Sequence, residues 1–194
     1  MFLVLVIIAF VLVLLMNAMT IYLSFGALAL AAIYPFMKRY TYLPQVVLGA
    51  AFAWAIPMAY AAQTGSVTKE AWLLYVITVL WTTAYDTMYG MVDREDDLKI
   101  GVKSTAILFG DADRLIIGLM QLAFLSGLFL LGNQLAMGAF YYMGVTVAVG
   151  LSVYQQYLIR DRKREACFQA FLNNHWLGMA VFVGIAADFL LQVH

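Results

Sequence analysis

The chain has 194 residues, of which 65% are apolar and 11% charged, where soluble domains run near ~45–50% and ~25%. That ratio excludes a water-soluble fold. Eleven Lys and Arg balance eleven Asp and Glu, so no net charge draws the chain to nucleic acid, and the single cysteine, Cys167, excludes an internal disulfide or a cysteine-based zinc centre. What remains is an all-α, polytopic integral membrane bundle with lipid as its surroundings.

No charge occurs from Met1 to Met37. As one helix this run would reach about 55 Å at ~1.5 Å per residue, far beyond a hydrocarbon core of ~30 Å. It must fold back, and the polar break from Asn17 to Thr20 is the natural place. Spans are predicted over residues 1 to 16 and 20 to 36, then from about Pro44 to Ala62, Ala71 to Val92, Arg114 to Leu131, Gly138 to Leu158 and Asn174 to Leu191. The expectation is about seven transmembrane helices in one domain over residues 1–194, joined by short loops. Met1 to Phe10 hold no charge and no small-residue cleavage site follows, so the segment does not read as a secretory signal. The chain is expected to start inside a membrane span.

Orientation follows from the cations. Lys38, Arg39, Arg94, Lys99, Lys103, Arg114, Arg160, Arg162, Lys163 and Arg164 collect on one side of the predicted membrane, and Lys69 stands alone on the other. By the positive-inside rule the basic loops face the cytoplasm, with the amino terminus there and His194 outside.

The chemistry is expected where acids stand against the apolar trend. The segment from Tyr85 to Asp97 continues an apolar helix into the cytoplasmic interface. Tyr85, Tyr89, Asp93 and Asp97 follow at four-residue steps, with Asp86 beside them, so one helical face is predicted to carry three carboxylates and two phenols. A run such as Asp93 to Asp97 is often just a solvated helix end. Asp86 argues against that here, because about two turns inside the helix an aspartate costs on the order of 1 to 3 kcal/mol in lipid and must face a polar cavity or a partner. Carboxylates at i and i+4 also suit Mg²⁺, which takes one or two and fills its shell with water and phosphate oxygens. Lys38, Arg39, Lys99 and Lys103 lie on the same side, where they serve as topology markers or meet a phosphorylated ligand.

The stretches YPFMKRYTYLPQVVLGAAFAW at 34–54 and YDTMYGMVDREDDLKIGVKSTAILFG at 85–110 resemble UbiA-type prenyltransferases, most closely the branch that prenylates 4-hydroxybenzoate in ubiquinone biosynthesis. The likeness runs the whole chain. Tyr34 and Lys38 match the family's Tyr-x-x-x-Lys, and Asp93 and Asp97 its Asp-x-x-x-Asp. The resemblance implies a fold of nine helices around a cavity open sideways to lipid, with two aspartate-rich motifs holding Mg²⁺ and the diphosphate of a polyprenyl donor. The first acidic residue in this chain is Glu70, so the seven spans correspond to the family's third to ninth helices, and the first motif, at the end of the second, has no counterpart.

The implied reaction is Mg²⁺-dependent transfer of a polyprenyl group from polyprenyl diphosphate to 4-hydroxybenzoate, ortho to its hydroxyl, at the cytoplasmic side of a bacterial inner membrane. In that scheme Asp93 and Asp97 hold the metal, and Asp86 joins them as a catalytic carboxylate. Tyr34, Lys38, Arg39, Tyr85, Tyr89 and Lys103 contact substrate, with Arg39 on either the benzoate or the diphosphate. Residues 1–194 on their own are expected to transfer prenyl groups at background rates. A proton-coupled transporter using Asp86 and Asp188, or a prenyltransferase for another quinone or haem precursor, are the competing readings.

Overall fold

A computed structural model describes residues 2–191; Met1 and His194, on which the predicted termini fall, lie outside the described residues. Among the described residues every regular element is helical: α1 Phe2–Leu14, α2 Ala18–Tyr40, α3 Pro44–Ala53, α4 Ala55–Thr64, α5 Lys69–Ile100, α6 Thr105–Phe109, α7 Asp113–Gln134, α8 Ala139–Leu158 and α9 Arg164–Leu191. The stretches Ala18–Tyr40, Pro44–Thr64, Thr105–Gln134 and Arg164–Leu191 are long and apolar enough to cross a membrane. The protein is a polytopic helical membrane bundle.

Local chemistry explains the boundaries. The first turn back falls at Asn17, whose side-chain oxygen accepts from the Thr20 amide at 3.0 Å and caps α2. The predicted span from Pro44 to Ala62 is split at Trp54 into α3 and α4, because Pro57 has no N–H to donate to the Ala53 carbonyl four residues back. One predicted boundary moves and one helix is added. Helix α9 begins at Arg164 rather than Asn174: Glu165, Gln169 and Asn173 lower the hydropathy of its first turns, while Cys167 and Ala170 on another face are fully buried. The short helix α6 stands in what reads as plain loop, started by Ser104, whose hydroxyl accepts from the Ile107 amide at 3.3 Å.

The long helix α5 is the hub, touching α3, α4, α6, α7 and α9, while α2 lies on α3 and α4. Two apolar clusters stack along α5. One joins Met88 and Met91 to Ile117, Ile159 and Cys167, and the other joins Ile77 to Phe124, Leu128, Tyr141 and Leu177. Between them runs a layer of amides: Gln121 donates to Gln155 at 2.8 Å, Gln155 to Asn173 at 3.1 Å, Gln156 to Gln121 at 2.9 Å, and the Trp81 indole to Asn174 at 3.0 Å. Side chains bonded to one another in this way fix the register of α5, α7, α8 and α9 where hydrocarbon offers no other partner. Helices α8 and α9 meet closely at Gly144 and Gly184, since a Cβ on Gly144 would come within 2.6 Å of the Ala180 carbonyl. Asp188, buried in α9, accepts from the Gly138 amide at 2.7 Å and so caps α8. Its carboxylate serves a helix end.

Candidate functional site

Helix α5 runs without a break to Ile100 and ends at Gly101, whose φ of 73° lets its N–H return to the Asp97 carbonyl. Asp86, Asp93 and Asp97 thus ride on one rigid rod. The predicted single face divides, because each four-residue step advances roughly 40° around the helix axis. Tyr85 and Tyr89 turn toward α9, with ring centroids 6.0 and 5.0 Å from Phe171. Asp86, Asp93 and Asp97 fall within roughly 40° of one another on the adjoining face. There Lys38 of α2 acts on both Asp86 and Asp97, Asp93 acts on both as well, and Tyr34 of α2 senses Asp86.

Asp97 is only 8% exposed, and its Oδ2 is buried with no hydrogen-bond partner. Burial holds its carboxyl above the usual carboxylate range; Lys38 pulls it back down, and Asp93 and Asp96 push it up. A buried carboxylate oxygen without a donor is costly, and a cation supplies what it lacks. Among the described residues no three His, Cys, Asp or Glu side chains gather to hold a metal by themselves. Two carboxylates one helical turn apart, one with an unused oxygen, fit Mg²⁺, whose remaining ligands are water and phosphate.

The loop after α5 is tied to α2 and α3. The Lys103 amide donates to the Lys38 carbonyl at 3.1 Å, its ammonium reaches the Tyr40 carbonyl at 3.4 Å, and it lies 5.3 Å from the centre of the Tyr42 ring. This brings Lys103 to the end of α2 that carries Lys38. Arg39 is exposed and makes no hydrogen bond or ion pair among the described residues. Gln45, buried in the first turn of α3, accepts from the Thr105 amide at 3.0 Å, and the Thr105 and Thr87 hydroxyls meet at 2.7 Å. Gly90 makes room for this contact, since a Cβ there would sit 3.2 Å from that of Ala106 and 3.4 Å from the Gln45 amide nitrogen. Gln45, Thr87 and Thr105 thus set the loop against α5. The signal that could have found Gln45 is a glutamine inside an apolar span.

Tyr85 and Tyr89 belong to an aromatic wall with Trp81, Phe168 and Phe171, beside a groove of about 300 Å³ that Asn174 and His175 also line. One further cluster gathers cations that the sequence marks only as basic loops around a buried acid. Asp113, fully buried at the start of α7, pairs with Arg94 of α5 and accepts from the Arg162 Nε at 3.1 Å. Arg164 pairs with exposed Asp96.

Residues 1–178 match the model of the UbiA prenyltransferase family. The chain is 62% identical over 185 residues to a 4-hydroxybenzoate octaprenyltransferase of Hahella chejuensis, covering 95% of this chain and 62% of that protein. It is 63% identical over 187 residues to one of Alkalilimnicola ehrlichii, covering 96% and 64%. The chain therefore spans somewhat under two thirds of the length of these relatives. Among solved structures, a UbiA homologue from Aeropyrum pernix superposes with a TM-score of 0.79 at 22% identity, over 93% of this chain and 68% of that one. A digeranylgeranylglyceryl phosphate synthase gives 0.76 at 16% identity, over 95% and 66%; at these identities the likeness is one of fold. The family match over most of the chain, on a helical bundle of the same fold, shows that this chain belongs to the UbiA prenyltransferase family.

Proposed function

We propose that the protein serves Mg²⁺-dependent transfer of a polyprenyl group from polyprenyl diphosphate to 4-hydroxybenzoate, ortho to the hydroxyl, on the cytoplasmic side of a bacterial inner membrane. The observation that carries this reading is on the face of α5 turned to α2, where a buried Asp97 oxygen lacks a donor and both Asp93 and Lys38 act on that carboxylate. The names of relatives above 60% identity support the same substrate pair.

In this reading Asp93 and Asp97 hold the metal, with Asp86 extending the acidic lining deeper. Bound there, Mg²⁺ would neutralise negative charge growing on the departing diphosphate. Lys38 and Lys103 bind diphosphate oxygens as point charges, and Tyr34 orients the ligand from the α2 side. Arg39, with its guanidinium free, takes a benzoate carboxylate or a phosphate equally well by its fork geometry. The allylic carbon–oxygen bond breaks, the ring carbon ortho to the hydroxyl bonds to the allylic carbon, and the ring loses its proton. The wall of Trp81, Tyr85, Tyr89 and Phe171 excludes water from that carbon and offers it aromatic faces.

The chain carries a single acidic stripe, so residues 1–194 alone are proposed to work at background rate. The test is to graft them in place of the matching stretch of the Hahella chejuensis relative. Prenyl transfer to 4-hydroxybenzoate that a chelator abolishes and Mg²⁺ restores is expected of the graft, against near-background turnover from residues 1–194 alone. A graft active only on a different aromatic acceptor would move the protein to another quinone or haem branch.

A further inference from the structure

A second groove, of about 560 Å³, shares no residue with the site above. It lies along α7 near the end of α8, at the same membrane end as Asp93, because the neighbouring Asp113 is paired with Arg94. Arg114 lines it. Its Nη1 donates to the Arg160 carbonyl at 2.9 Å, its Nε is buried without a partner, and its Nη2 has no acceptor among the described residues. A guanidinium N–H left without an acceptor is a donor that a phosphate oxygen takes.

Arg162, the other cation in the groove, is already bonded to Asp113 and to the Asp111 carbonyl. The Asp111 carboxylate is exposed and makes no hydrogen bond or ion pair among the described residues, though Arg162 acts on it electrostatically. From Arg114 along the span run Leu115, Leu119 and Leu122, on one helical face and 66%, 55% and 61% exposed. The groove is thus lined by an exposed carboxylate, a guanidinium whose Nη2 has no acceptor among the described residues, and an apolar track.

We propose that this groove binds a phospholipid whose headgroup joins a phosphate to a protonated primary amine, the chemistry of phosphatidylethanolamine. The phosphate accepts from the Arg114 Nη2, the ammonium donates to Asp111, and an acyl chain lies along Leu115, Leu119 and Leu122. A trimethylated amine has no N–H to give Asp111, and a headgroup with phosphate alone meets that carboxylate with like charge. Recognition rests on the pair, since a basic pocket by itself would favour anionic lipids.

The experiment is native mass spectrometry of the purified chain in mild detergent, titrated with phosphatidylethanolamine, phosphatidylcholine or phosphatidylglycerol of identical acyl chains. The ethanolamine lipid is expected to be retained about tenfold more tightly than either of the others. Asp111→Asn should erase that preference while lipid still binds, and Arg114→Gln should weaken all three, with a melting curve of each variant as the check on folding. Equal retention of the three lipids by the unaltered protein means adventitious annular lipid only and overturns the proposal, as does a preference that survives Asp111→Asn. If Arg114→Gln fails to fold, the unaltered protein and Asp111→Asn decide the matter.

Discussion

Two aspartates lie buried near the same membrane end of this bundle, and their surroundings are opposite. Asp113 is met by Arg94, Arg162 and the Arg114 amide, so both its oxygens are used. Asp97 is nearly as buried, yet one oxygen has no donor and two other carboxylates act on it. Burial holds the Asp97 carboxyl above the usual range, whereas the ionised Asp113 is met by hydrogen bonds from Arg162 and Arg94. A buried charge that is fully paired holds helices together; one left short of a partner is available to a ligand. The contrast separates the joint between α5, α7 and the segment before α9 from the acidic face of α5 on which Lys38 of α2 acts.

The largest effect that tests this contrast is on turnover. In the active graft, Asp97→Asn or Asp93→Asn should lower prenyl transfer by roughly a hundredfold or more, the scale of losing preorganised charge stabilisation. The melting temperature should hold. Near-normal turnover in either variant would remove those carboxylates from the metal site.

Asp113→Asn should do the reverse. It leaves two arginines facing a neutral group, and we expect a loss of about 2 to 3 kcal/mol of stability, less than for a fully desolvated pair because both arginines are partly exposed. Transfer per folded molecule should change little. Unfolding in detergent against activity of the soluble fraction checks this, and a variant that melts normally but turns over slowly would move Asp113 from the joint into the site.

The smallest effect is expected from Asp96→Asn: its pairs with Arg164 and Lys99 are exposed to solvent, so melting and transfer should both remain within measurement error of the unaltered protein.

What the sequence by itself determined was local: an apolar, all-helical membrane chain, the polar turn at Asn17, the helical continuity from Tyr85 to Asp97 and the two family motifs. Hydropathy and a 3.6-residue period are properties of neighbours along the chain, and they are legible without a fold. Only the tertiary structure decided which neighbour each side chain meets. It turned Tyr85 and Tyr89 to α9 and the carboxylates to α2, because the four-residue step drifts around the axis and different helices stand on the two sides. It also joined Asp113 to Arg94 and Arg162, across 19 and 49 residues of chain, and Asp188 to the start of α8. An aspartate that pins a helix and one with an unused oxygen have the same composition and the same hydropathy. They differ only in whether folding brings donors to both oxygens.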